Sequence, residues 1–143
     1  MTQSIGNAAS VVGTWELLSI QFEFADTGEC VDLYGPNPSG FLIFTKGGRL
    51  MGIVTAAGRA IPKTEADRAG LFESMMAYSG KYRAEGGNKF VTVVDVAWHP
   101  AWNDEQTRFF ALDGDVLSIT TAQQTIPQFP GRLGRGVLRW RRS

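Results

Sequence analysis

The sequence predicts an all-β fold, an antiparallel β-barrel of about eight to nine strands with one helix inserted near residues 63–76. Three observations predict it. Short runs rich in aromatic and β-branched residues alternate in polarity with a period of two. Glycine-bearing turns separate them, at Lys46-Gly47-Gly48, Glu85-Gly86-Gly87-Asn88 and Asp113-Gly114-Asp115. A single segment carries helical spacing. So many strands in 143 residues would leave two costly edges in a flat sheet, and closure into a ring removes them. A ring of about eight strands encloses either a packed interior or one small ligand. A two-sheet sandwich is the rival arrangement.

Residues 1–12 read as a flexible lead-in, and residues 13–143 as one domain. Residues 13–22 form the first strand. Trp15 and Leu17 share one face, whereas Leu18, Ile20 and Phe22 share the other, so the strand bends or changes surroundings midway. Asp26-Thr27-Gly28-Glu29 is a turn, and residues 30–34 a short return strand. Gly35-Pro36-Asn37-Pro38-Ser39-Gly40 suits neither strand nor helix interior. Residues 41–45 and 49–55 make a hairpin about Gly47-Gly48. Thr64 followed by Asp67 resembles a capping box, and Ala69, Phe72 and Met76 recur at helical spacing with Leu71 and Met75. This helix is expected to cover a barrel mouth or lie against the wall.

Strands resume at residues 78–83, where Tyr78, Gly80 and Tyr82 alternate with polar neighbours. Residues 89–98 are apolar on both faces and read as a strand covered on both sides. Residues 107–112 and 116–121 make a hairpin, residues 123–133 are irregular, and residues 136–142 close the chain. Gly131-Arg132-Leu133-Gly134-Arg135-Gly136 has the wrong spacing for a dinucleotide fingerprint and reads as a mobile loop.

Lysine plus arginine number 14 and aspartate plus glutamate 14, a balance that argues against nucleic-acid binding. The arginines of the tail read as a solvated strand face. Cys30 is the single cysteine, which excludes an internal disulfide, and no cofactor or metal is expected. No secretory leader and no membrane-inserted segment is read from the sequence, so a cytoplasmic location is the default expectation. A homodimer is compatible with all of this.

The ordered motifs Gly13-Thr14-Trp15-Glu16-Leu17, Gly40-Phe41-Leu42-Ile43-Phe44-Thr45-Lys46-Gly47-Gly48-Arg49-Leu50, Tyr78-Ser79-Gly80-Lys81-Tyr82, Pro100-Ala101-Trp102, residues 108–117 and Leu138-Arg139-Trp140 resemble the lipocalin-like domain family of small bacterial and fungal proteins. The resemblance runs over residues 13–142. It implies a calycin-like barrel, and either a binding protein or a cyclase- or isomerase-type enzyme. Relatives often carry a histidine in the strand that here reads Phe90-Val91-Thr92-Val93-Val94-Asp95, and this chain has none there. The resemblance also implies that Trp15 floors the barrel against an arginine of the final strand, with Arg139 or Arg141 as candidates.

The candidate ligand-binding residues are Tyr78, Tyr82, Arg108, Phe110, Phe41, Thr92, Val94 and Trp102. Tyrosine combines apolar area with one polar handle, which suits a pocket wall. Arg108 shares a face with Phe110 and Leu112. If that face is inward, the guanidinium needs a partner, and Asp95 and Glu16 are candidates. The bland reading is a structural ion pair; the sharper one is an anchor for an acidic or carbonyl group. Phe41 and Ile43 are read as inward, with Leu50, Gly52, Val54 and Phe90. His99, the only histidine, reads as a loop residue rather than a general base, and Cys30 has no feature that would activate a thiolate.

Three functions compete. The leading one is binding of a small, mostly apolar or amphipathic molecule in the barrel with Arg108 as polar anchor. The alternatives are a cofactor-independent isomerase or cyclase acting on such a molecule, and a structural protein with a filled barrel.

Overall fold

The computed structural model describes residues 8–143. Nine strands follow one another: β1 (Gly13–Phe24), β2 (Cys30–Asp32), β3 (Ser39–Phe44), β4 (Arg49–Thr55), β5 (Met75–Ala84), β6 (Lys89–Ala97), β7 (Glu105–Asp113), β8 (Val116–Thr121) and β9 (Gly134–Arg142). One helix, α1 (Glu65–Glu73), lies between β4 and β5, and short 3-10 turns occupy Ala8–Val11 and Pro100–Trp102. All pairings are antiparallel. β1 and β3 to β9 form an eight-strand meander that closes when β9 pairs with β1, and β2 adds a ninth strand beside the second half of β1. The barrel, not the sandwich, is therefore the architecture. Residues 1–7 of the expected lead-in lie outside the described residues.

Two irregularities shape the ring. The β1–β9 register shifts between Leu17 and Ser19, so Leu17 and Ile20 are both buried while Leu18 is exposed. This bulge accounts for the change of apolar face within the first strand. The β5–β6 register shifts between Ser79 and Gly80. A Cβ at Gly80 would collide with the carbonyl of Val93, so only glycine allows this approach.

The two ends differ in construction. The turn end carries the β3–β4, β5–β6 and β7–β8 hairpins, and the Ala8–Val11 turn lies against it. There Trp15 is fully buried and its Nε1 donates to Val11 O at 2.9 Å. Phe44 meets Tyr82 and Phe90 edge-on, and Phe90 meets Phe110 in the same way. Leu112, Leu117 and Trp140 complete this floor. Arg142 lies over the Trp15 ring at 4.1 Å and donates to the carbonyls of Val12 and Ser10. The floor arginine is thus Arg142, not Arg139 or Arg141, because Trp15 pairs directly with Arg142 and directly paired residues share a face.

The loop end carries the longer connections. In residues 122–133, Phe129 stacks on Phe22 and meets the edge of Phe24, while Arg132 covers Phe24 at 3.6 Å and pairs with Asp26 at 3.0 Å. The segment read as a mobile loop is therefore tied to the barrel at named points. α1 begins as its capping box predicts: Thr64 Oγ1 accepts from Asp67 N–H, and Asp67 Oδ2 accepts from Lys63 N–H, both at 3.0 Å. It is shorter than expected. Met75 and Met76 belong to β5, and α1 has no buried residue, so it lies outside the mouth rather than plugging it.

Phe41 requires a correction. Gly40, Leu42 and Phe44 face inward, so Phe41 and Ile43 lie on the outer wall, opposite Ile53 and Met51 of β4. A one-residue difference in parity reverses a strand's faces. β6 is also not covered on both sides, since Val93 and Val96 are exposed.

Candidate functional site

The inward positions of β5, β6 and β7, from mid-barrel toward the loop end, bring Tyr78, Thr92, Val94, Gln106 and Arg108 to one side of the interior. Gln106, Arg108, Phe110 and Leu112 alternate on the inner face of β7. Thr92 lies directly opposite Gln106 in the β6–β7 pair, and Phe90 lies opposite Arg108.

Arg108 is partly buried. Its Nη1 donates to Thr107 O at 2.9 Å and its Nη2 to Gln106 Oε1 at 3.1 Å. Both acceptors are neutral, and no carboxylate among the described residues forms an ion pair with it. The two expected partners are elsewhere. Asp95 takes both arms of Arg49 on the outer wall, at 2.8 and 3.0 Å, and Glu16 is exposed on the outer face of β1. Burial lowers the Arg108 pKa from the ordinary arginine value, opposed by the electrostatic influence of Tyr78 and Asp104. Burial likewise raises the Tyr78 phenol above its usual 10.0, with Arg108 pulling the other way. At neutral pH the site therefore presents a guanidinium cation and a protonated phenol.

Thr92 is 1 % exposed, and its Oγ1 has no hydrogen-bond partner. A buried hydroxyl in this condition costs about 1–3 kcal/mol relative to one that is bonded. Over these groups the aromatic rings meet: Tyr78 and Trp102 at 5.3 Å, Trp102 and Trp98 at 4.9 Å. Trp98 Nε1 donates to Phe72 O at the end of α1, and His99 Nδ1 accepts from Ala101 N–H, capping the Pro100–Trp102 turn. His99 thus has the loop role expected of it.

Of the eight candidate residues, Tyr78, Val94 and Trp102 lie toward the loop end, while Thr92 and Arg108 sit at mid-barrel, directly opposite Tyr82 and Phe90. Tyr82 and Phe110 pack in the floor, where Tyr82 donates to Thr45 O. Phe41 is outside the barrel. Gln106 was missing from the candidate set because the strand was read from residue 107, yet it extends the alternation of Arg108, Phe110 and Leu112 by one step. Cys30 is exposed, and no cluster of three metal-ligating side chains occurs among the described residues. No helix among them is long and apolar enough to cross a membrane.

Two hollows open on the outside of the ring. One of about 400 Å³ lies between residues 56–61 and α1, with Ala66, Gly70 and Leu71 in its wall. Another of about 140 Å³ lies between Phe41 and Ile53.

The profile of the family described as "Lipocalin-like domain" matches residues 12–143, nearly the whole chain. A search of curated proteins finds no match.

Proposed function

The chain belongs to the lipocalin-like domain family, and from that premise we propose that it binds a small, mostly apolar molecule inside the barrel, toward the loop end, with Arg108 as polar anchor. A lipocalin-like barrel suits small-molecule binding in general. The observation that carries the finer reading is the guanidinium itself. It is turned inward, is partly removed from water, and has only neutral hydrogen-bond partners. A buried charge is costly unless paired, so a protein that keeps one unpaired benefits when a ligand supplies the partner.

Tyr78, Val94 and Trp102 supply the apolar and aromatic wall. Access requires Trp102 to leave Tyr78. The Pro100–Trp102 turn has no fully buried residue, so this displacement costs the ring contacts of Trp102 with Tyr78 and Trp98 but uncovers no fully buried side chain of the turn. Burial of the ligand's apolar body drives binding, at about 25 cal/mol per Å² before ordering costs.

Native mass spectrometry of the purified protein, followed by titration with the amphipathic, sulfonate-bearing fluorophore 8-anilinonaphthalene-1-sulfonate, tests the proposal. The expected result is a retained small molecule or saturable fluorophore binding, weakened at least about tenfold by Arg108→Gln. No retained molecule together with no saturable binding overturns the proposal, and so does binding that Arg108→Gln leaves unchanged.

A further inference from the structure

We infer that the outer wall of the β3–β4 hairpin docks a second copy of this chain, in a two-fold dimer that seats each Met51 in the outer hollow of the opposite copy. The barrel interior plays no part in it.

Outward positions of a strand that faces water normally carry polar or charged side chains. Lys81 and Arg83 do so on β5, and Arg139 and Arg141 on β9. β3 and β4 depart from this pattern. Phe41 lies directly opposite Ile53, Ile43 lies directly opposite Met51, and all four are 38–53 % exposed. Ser39 and Thr55 continue the same outward rows, so no charge interrupts the block. The core needs none of the four, because Leu42, Phe44, Leu50 and Val54 supply it from the inward positions of the same strands. A single exposed apolar residue needs no explanation, whereas a contiguous block marks a contact surface.

Shape and charge select the occupant. The hollow of about 140 Å³ between Phe41 and Ile53 has Ser39 and Thr55 in its wall and is the size of one side chain. Met51, the most exposed of the four, stands one outward row away. A protruding side chain and a hollow beside it on one surface are self-complementary under a two-fold axis. That axis runs across the strands, between the Phe41–Ile53 row and the Ile43–Met51 row. The unbranched methionine side chain adapts to an irregular gap. Both edges of the block are locally neutral. On one side Glu16 lies directly opposite Arg141 of β9, and on the other Asp95 takes both arms of Arg49. The chain carries 14 basic and 14 acidic side chains, so two copies meet without net repulsion. A strongly charged partner finds no counterpart on this face.

Area sets the affinity. Four large side chains at about half exposure present on the order of 300–400 Å². A standard interface takes about 800 Å² from each partner, built around an apolar core of this kind. With Leu18 and the two neutral edges as rim, the face suits a weak dimer that dissociates at about 10–100 µM.

Sedimentation velocity of the full chain between about 1 and 500 µM tests this, with monomers expected at the bottom of the range and dimers at the top. Met51→Glu is expected to weaken the dimer at least about tenfold and to leave the melting temperature unchanged, since the residue is exposed. Val96→Glu, also exposed but on β6 outside the block, leaves the dimer intact. Ser39→Phe fills the hollow from its own chain and weakens the dimer at least about tenfold, whereas a face held by apolar area alone gains from the added ring. Monomers at every concentration overturn the inference, and so does a dimer that Met51→Glu leaves unchanged or that Val96→Glu breaks. A dimer that Met51→Glu breaks and Ser39→Phe strengthens overturns the seating of Met51 in the hollow. Monomers that float with phosphatidylcholine vesicles, and no longer do so in Met51→Glu, assign the face to a lipid surface and overturn the second copy.

Discussion

At the turn end of the barrel, inward side chains are large, apolar and in contact with one another. Trp15, Phe44, Phe90, Phe110, Leu117 and Trp140 fill the floor, and the polar atom of Trp15 is satisfied by Val11 O. Toward the loop end the same strands turn Tyr78, Thr92, Gln106 and Arg108 inward, with a cation whose hydrogen bonds go to neutral acceptors and a hydroxyl without a partner. Trp140 Nε1 is the exception in the floor, buried and also unpartnered. The contrast separates two tasks within one ring. The floor contributes stability through close packing, whereas the polar group of Thr92 is buried without a partner.

Truncating one tryptophan at each end is the strongest way to break this comparison. Trp15→Ala should lower the unfolding free energy by about 3–5 kcal/mol in urea titration, because it empties the floor and strips Arg142 of its aromatic face. A loss below about 1 kcal/mol would mean that the floor does not carry the fold. Arg142→Leu comes next, at about 1–2 kcal/mol, from the lost cation–π contact and two hydrogen bonds to backbone carbonyls. Trp102→Ala should cost about 1 kcal/mol or less in the same assay and should speed probe association measured by stopped flow. Equal losses at Trp15 and Trp102 would erase the distinction between the ends.

The smallest effect appears only at high pH. Burial raises the Tyr78 pKa above 10.0 in the folded protein, while the unfolded chain titrates near 10.0. The stability from this phenol is therefore fully present below pH 10 and is lost as pH climbs through the folded value. Tyr34 and Tyr82 shift in the same direction for the same reason. Tyr78→Phe should make the alkaline loss of stability shallower and leave the neutral-pH value nearly unchanged, as followed by thermal melts between pH 8 and 11. An unaltered alkaline slope would place the Tyr78 phenol in water.

The barrel was legible because its signals are local. Gly47-Gly48, Gly86-Gly87 and Gly114 mark hairpins wherever the rest of the chain goes, and all three hairpins are present. The inward arginine was legible too, because Phe110 and Leu112 fix the face of β7. Phe41 was misread because Phe41-Leu42-Ile43-Phe44 is apolar at every position, so alternation gives no parity. Met75 and Met76 suit a helix stripe or a strand, and only pairing with Thr55 and Val54 decides for β5. The ion pairs could not be read at all. That Arg49 takes Asp95, leaving Arg108 without it, depends on two side chains 46 positions apart meeting on the outer wall of β4 and β6, across β5.

The pairing of β1 with β9 has a consequence for the birth of the molecule. β1 is made first and meets β9 from Trp15 to Phe24, across the greatest sequence separation of any strand pair in the ring. During synthesis the meander from β3 to β8 can form hairpin by hairpin as the chain emerges, while β1 keeps one edge open and Ile20, Phe22 and Phe24 uncovered. The ring cannot close until β9 has left the ribosome. The interval between the emergence of β1 and that of β9 is when a nascent chain of this kind is most exposed to edge-to-edge aggregation and most in need of a chaperone.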